Sequence, residues 1–440
     1  MNKRLPIPSE DRSPHILFLT PHFFPSRNPE AIANTALARA LLAAGNEVIV
    51  IHRTVLGRAQ VSVLRPESVG HLTHRLESQT DQQHYDKWEQ VKRYIRIPKR
   101  YRQILSEYGL ELWAKKAIAA ALAMSGTNTF DVMISASGYG HLPALTIKKH
   151  LRTPWIANWN DPFPEETYPP PYGSGVTSLQ KTKLAGWISD VCRDCDWHTF
   201  PCDRLRRFMA VYLQHDVLNR STVVPHAAPL YARPTGPLAQ GERFVITYAG
   251  ALGAQRPISR FFEAVNMVQV KRGAAERLTI RFLGTDPDQL CPHVENAASG
   301  VNIEIVGRLP HQACLTELSQ SHILLVVEAE VPEGIFLPTK VVDYASVGRP
   351  ILALSPSTGT LVDVLTAYGG GIAVDNKSTE QIASALEQLL VAWRTGRLDE
   401  QYSPVRLREV FSTKRVSELY SRIFETISSA PVETTRLQSE

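Results

Sequence analysis

The sequence has little of what would assign it at a glance. Its five cysteines are an odd number in 440 residues, so they do not make the disulfide framework of a secreted scaffold, and a reducing cytoplasm is the expected home. No apolar run approaches the roughly 18 residues needed to cross a bilayer. The first fourteen residues, Met1 to Pro14, lack the apolar core of a secretory signal. Net charge is only +5, from 48 Lys and Arg against 43 Asp and Glu, so an anion-binding surface has to be local. No groove-reading motif argues for nucleic acid. The first strand-to-helix loop, Pro21 to Glu30, lacks Gly-x-Gly-x-x-Gly, which argues against a dinucleotide fingerprint.

What is present is a repeated strand–helix pattern, and its most informative stretch lies late in the chain. The apolar strand Ile323 to Glu328 runs into Glu333-Gly-Ile-Phe-Leu-Pro338-Thr339-Lys340-Val-Val-Asp343-Tyr-Ala-Ser-Val-Gly348-Arg-Pro350, then into the strand Ile351 to Leu354. Pro338 suits a first helical turn, Gly348 a helix end, and Pro350 forbids continuation. The start of such a helix favours an anion. Lys340 and Asp343 share one face, so a phosphate cation and a hydroxyl-binding carboxylate sit together; an ion pair on a solvated face is the plainer alternative. Glycine and arginine recur in Gly250-Ala-Leu-Gly-Ala-Gln-Arg256 after the strand Phe244 to Ala249. Glycine lets a backbone approach a ligand closely, and the guanidinium fork suits phosphate oxygens.

The same pattern opens the chain with strand 15–20, helix 31–44 and strand 47–51. Strand 154–158 ends in Asn158-Trp-Asn160-Asp161-Pro162, at the carboxyl end where open α/β sheets gather ligands. Residues 165–175, rich in Pro and Tyr, read as a mobile loop beside that end. Residues 84–116 are basic and aromatic; a solvated helical face competes there with contact to an anionic membrane. The set Cys192, Cys195, His198 and Cys202 has zinc-capable types, but its spacing fits no common module, and no metal is assigned.

In their order and spacing these segments resemble the family-4 retaining glycosyltransferases, in the branch that reads Pro-Ser-Lys-x-x-Glu-Tyr. The likeness runs from His15 to about Ile427, through Pro338-Thr339-Lys340, Asp343-Tyr344, Gly348-Arg-Pro350, Asp161-Pro162 and the Gly250 loop. It implies the α/β GT-B fold, two Rossmann-like βα domains facing one cleft. Residues 1–232 would bind the acceptor, 233–241 would link, 242–404 would bind a nucleotide sugar, 405–427 would pack back as helices on the first domain, and 428–440 would be a tail.

The resemblance further implies retaining transfer from a nucleotide-diphosphate sugar, a UDP-sugar as first expectation, with no cofactor and no metal. It puts Gly250, Arg256, Lys340, Pro338 and Thr339 at the diphosphate and Asp343 at the ribose. Glu333, ahead of Glu330 or Glu328, replaces the family's first acid, which would fall on Ile335. Asp161 joins Glu333 as a catalytic candidate, with His22, Asn158 and Asn160 on the acceptor side. Arg308 is a candidate for the base or phosphates. In the family the leaving phosphate takes the acceptor proton. The acceptor would be a carbohydrate or a lipid-linked precursor of surface polysaccharide, handled in the cytoplasm at the inner membrane face. Ala251, Ile335 and Asn160 depart from the family pattern, which keeps open a silent binding or scaffold protein and a sugar-nucleotide epimerase on the same fold.

Overall fold

Short runs buried on both faces form the strands, and they assemble into two sheets in a computed structural model of the chain. It describes residues 14–24, 26, 28–54, 59–68, 99–178, 182, 184–213, 216–229, 238, 242–253, 255–271 and 277–429, with backbone alone at 99–107 and 292. The interdomain linker expected at 233–241 (residue 238 apart), the basic residues 84–98 and most of the tail lie outside these.

The first sheet contains β1 (His15–Leu19), β2 (Glu47–Arg53), β3 (Ala59–Leu64), β4 (Val132–Ala136), β5 (Trp155–Asn158), β6 (Trp197–Phe200) and β7 (Ser221–Val223), in the order β3-β2-β1-β4-β5-β6-β7. All pairings are parallel except β2 with β3. Helices α1 (Pro29–Ala43), α2 (Lys99–Ser125), α3 (His141–Leu151), α4 (Ala185–Asp194) and α5 (Asp203–Leu213) connect them. The second sheet is wholly parallel. It contains β8 (Phe244–Ala249), β9 (Leu278–Leu283), β10 (Val301–Val306), β11 (Ile323–Val327), β12 (Ile351–Ser355) and β13 (Gly371–Asp375), in the order β10-β9-β8-β11-β12-β13. Its helices are α6 (Ser259–Lys271), α7 (Cys291–Glu295), α8 (His311–Ser319), α9 (Thr339–Val347), α10 (Thr360–Tyr368) and α11 (Thr379–Arg394). The short α12 (Leu398–Gln401) and α13 (Val405–Val410) lead to α14 (Thr413–Ser429).

Parallel strands buried on both faces need an apolar residue at nearly every position, and β4, β5, β11 and β12 are buried throughout. The first core closes with help from the end of the chain. Val416, Tyr420 and Ile423 of α14 pack with Ile16, Phe18 and Leu41, and the Tyr420 hydroxyl lies 3.4 Å from Asn158 Oδ1 and 3.3 Å from Thr199 Oγ1. The antiparallel edge strand β3 escapes the sequence reading, whereas the solvated helical face read in 84–116 is present from residue 99 as the long α2, on which Trp113 is fully buried while Lys115 and Lys116 are exposed. Pro338 caps α9 from outside rather than starting its first turn, and Gly348 takes the left-handed cap at φ 79°. Among the described residues no helix is long and apolar enough to cross a membrane.

The two domains touch directly. The Arg204 guanidinium, at the start of α5, forks onto Asp363 and Glu333 of the second domain. Beside it Cys202 Sγ donates to the Ile335 carbonyl at 3.2 Å. Two aromatic rings of the first domain, Tyr168 and Tyr172, pack on Phe336 at 5.9 and 5.4 Å, so the 165–175 loop bridges the domains. Glu333 and Asp363 keep about half of their side-chain surface, so water screens the fork and Arg204→Ala removes about 1 kcal/mol of closure. The open form should gain roughly fivefold relative to the closed one, read as a larger radius of gyration in solution scattering at an unchanged melting temperature; an unchanged radius refutes the latch.

Candidate active site

Between the domains lies a cavity of about 1360 Å³. Its second-domain wall is built at the carboxyl ends of β8 and β11. Gly250, Arg256, Glu328, Pro338, Thr339 and Lys340 all line it. Lys340, in the first turn of α9, reaches back to β8: its Nζ donates to the Ala249 carbonyl at 2.9 Å and to the Tyr248 hydroxyl at 3.0 Å, and lies 4.1 Å from the centre of that ring. Burial, with Arg256 adding like-charge repulsion, lowers its pKa to about 7. Arg256 stacks over Tyr172 of the opposite domain at 5.9 Å. Two converging cations with this little compensation describe a place for a multivalent anion.

Glu328, one residue past β11, is 7% exposed, and its Oε2 has no hydrogen-bond partner among the described residues. Burial pushes its carboxyl up to about 8, against the pull of Arg256. A neutral carboxyl both donates and accepts, and one left unpartnered beside a cavity is completed by a hydroxyl-bearing ligand. Glu333 is placed elsewhere. It does not line the cavity; its carboxylate bonds instead to Arg204. Asp343 also lies behind the cavity surface. Its Oδ2 meets His311 Nε2 at 2.8 Å, and His311 is the member of the pair that lines the cavity. Burial opposes the charge on His311 and the Asp343 carboxylate overrides it, so the net shift is upward.

On the first-domain wall Asn160 and Asp161 line the cavity, and Asn158 and His22 stand one layer behind. Asn158 donates to Asn160 at 3.0 Å, Asn160 to Asn34 at 2.9 Å, and Asn34 to Ser137 at 2.7 Å, a buried row of amides. Burial raises Asp161 to about 6. Arg308 lines the cavity while remaining exposed.

Among the cavity residues not singled out from sequence are Glu30 in the first turn of α1, Arg39 further along the same helix and 3% exposed, and His311. The signal for Arg39 is a guanidinium on the helix face that carries Thr35 and Ala36; for Glu30 and His311 only the fold supplies it. The zinc-capable residues stay inside the first core, where burial raises the thiols of Cys192 and Cys195 and Cys195 Sγ contacts the His198 ring at 3.3 Å.

Residues 243–391 match the family described as glycosyl transferases group 1. No curated protein sequence matches the chain significantly. Among solved structures the chain is similar to sucrose-phosphate synthase from Thermosynechococcus elongatus, at 13% identity and a TM-score of 0.61, over 96% of this chain and 100% of that one. It is similar to Anabaena Alr3699/HepE in complex with UDP, at 10% identity and 0.61, over 94% and 100%. It is also similar to the E. coli trehalose-6-phosphate structure bound with UDP-2-fluoro glucose, at 12% identity and 0.59, over 95% and 99%. At these identities the likeness is one of fold, and the fold is GT-B. On that fold, residues 243–391 carry the glycosyl transferases group 1 match.

Proposed function

We propose that the protein moves a sugar from a nucleotide-diphosphate sugar to a hydroxyl acceptor with retention at the anomeric carbon. The observation that carries this is the convergence of Lys340 and Arg256 on the cavity beside the unpartnered Glu328. Leaving diphosphate charge has to be stabilised as an oxocarbenium-like centre forms, and two fixed cations, Lys340 at the start of α9 and Arg256 after β8, do so without reorganisation. Glu328 takes the donor-sugar contact that the sequence reading gave first to Glu333. His311 and Asp343 together face the ribose, Gly250, Pro338 and Thr339 shape the diphosphate wall, and Asp161 and Asn160 receive the acceptor. A uridine donor is favoured because two of the similar structures hold UDP or a UDP-sugar. The acceptor is a carbohydrate or lipid-linked precursor of surface polysaccharide, and exposed Lys115 and Lys116 on α2 extend the basic stretch that would touch an anionic membrane.

A thermal-shift screen against uridine, guanosine, adenosine and thymidine diphosphates and their sugars tests the donor site, since a ligand bound only to the folded state raises the melting temperature. One nucleotide should stand out. Glu328→Gln should keep the shift from the free diphosphate and lose most of the extra shift from its sugar. Absence of any nucleotide shift refutes the transferase reading, and the anomeric configuration of the product by NMR decides retention.

A further inference from the structure

Glu30 stands on the first-domain wall with its carboxyl fixed from two sides. Asn28 Oδ1 accepts from the Ala31 amide at 2.7 Å, which turns the Asn28 NH2 group toward His22 Nδ1, 3.1 Å away. That NH2 group only donates, so Nδ1 accepts and the imidazole proton sits on Nε2. Nε2 lies 3.3 Å from Glu30 Oε2. Burial, with Arg53 adding repulsion, lowers His22 to about 4, so the ring is neutral and donates to the carboxylate. On the other side stands Ser137, near enough to the carboxyl to oppose its upward shift. The Ser137 oxygen accepts from Asn34, which accepts from Asn160, so the hydroxyl hydrogen is left over for the Glu30 side. Asn34, Ser137 and Asn160 are each at least nine-tenths buried.

A glutamate in a first helical turn is ordinarily a solvated partner of the helix dipole. This one faces the cavity: 29% of its side-chain surface remains open, and Glu30 lines the wall beside Asp161. The groups that face it are His22 from the segment after β1, Ser137 after β4, Asp161 after β5, and Glu165 and Tyr168 from the bridging loop. Its charged neighbours Asp161 and Glu165 are both negative. Burial and then Asp161 raise its carboxyl to about 8. An oriented carboxyl with such an affinity for protons, on the wall opposite the diphosphate cations, is suited to proton transfer near neutral pH.

Resting on the transfer reading, we infer that Glu30 is the general base for the acceptor, held in place by His22 and the Ser137–Asn34–Asn160 relay. As the acceptor oxygen bonds to the anomeric carbon on the face from which the diphosphate departs, the bond from that carbon to the diphosphate breaks and its electron pair leaves with the nucleotide. The acceptor hydroxyl proton passes to the Glu30 carboxylate and goes to solvent when the cleft opens. The proton's destination is therefore a protein carboxylate rather than the departing phosphate.

The test measures release of UDP from UDP-glucose, with water and octyl glucoside as acceptors, between pH 5.5 and 9.5. It compares the wild type with Glu30→Gln, Glu30→Asp and Asp161→Asn, with UDP affinity measured in parallel. The base acts ionised, so the wild-type rate should climb with pH to a plateau above about 8. Glu30→Gln should bind UDP normally, lose about 10²–10⁴-fold in rate and lose the climb. Glu30→Asp should restore part of both. Asp161→Asn should move the climb to lower pH by removing a negative neighbour. A Glu30→Gln enzyme with wild-type rate and pH profile overturns the inference and leaves the transfer reading intact. UDP binding without release by the wild type at any pH overturns the transfer reading and this inference with it.

Discussion

Lys340→Ala should lose the nucleotide. The ammonium lies in the cavity beside Arg256, and a hydrogen bond to a charged group contributes about 1.5–3 kcal/mol, so nucleotide-diphosphate affinity should fall by roughly 10- to 10²-fold by calorimetry. A finer result follows from the charge state. In the empty cleft burial and Arg256 hold Lys340 near 7, and a bound diphosphate stabilises the ammonium and raises that value. Binding at pH 8 should therefore take up close to one proton, and binding at pH 6 almost none from this group. Titrations in buffers of different ionisation enthalpy read the uptake directly. Lys340→Arg keeps the charge at every pH, so it should bind with no uptake; uptake unchanged in that variant would assign the proton to another group.

The second large effect concerns stability. Gly371 opens β13, where an added Cβ would lie 2.0 Å from the Ile351 carbonyl oxygen of β12. No side-chain rotation relieves contact with backbone, so Gly371→Ala has to push β13 off β12, and overpacking of this kind costs about 3 kcal/mol. The melting temperature should fall by roughly 6–12 °C. Gly369 provides the contrast: its φ is +71°, but nothing lies within 4 Å of its added Cβ. Gly369→Ala meets only the strain of a backbone at φ 71°, ψ −155°, a region essentially reserved for glycine, about 2 kcal/mol. Equal losses from the two substitutions would refute the steric argument.

The strands were legible because each is a short apolar run bounded by Gly, Pro or a polar turn. Phe244–Ala249 and Ile323–Val327 fall where the pattern puts them, to within a residue. Lys340 and Arg256 were legible for a related reason, since each follows a buried strand by a short loop and the fold brings such loops to one end of a parallel sheet. Local pattern could not choose between Glu328 and Glu333. They are near neighbours in one acidic loop, and what separates them is Arg204, 129 residues away in sequence and contributed by the other domain. His311 shielding Asp343 is likewise a contact across 32 residues between two helix starts. The antiparallel β3 was missed because its residues 61 and 63 are exposed valines, and an edge strand with apolar residues in solvent has no buried-run signature.

The position of α14 has a consequence for synthesis. Tyr420, Val416 and Ile423 complete a core whose other members belong largely to the first half of the chain. An emerging polypeptide can lay down β1 to β7 early, yet that sheet keeps an uncovered flank until the ribosome has added the whole second domain. At roughly 5–20 residues per second, the roughly 190 residues between β7 and α14 take about 10–40 s. During that interval Ile16, Phe18 and Leu41 lack their final cover. A stop codon just before Thr413 would therefore leave the second sheet whole and the first domain without that cover.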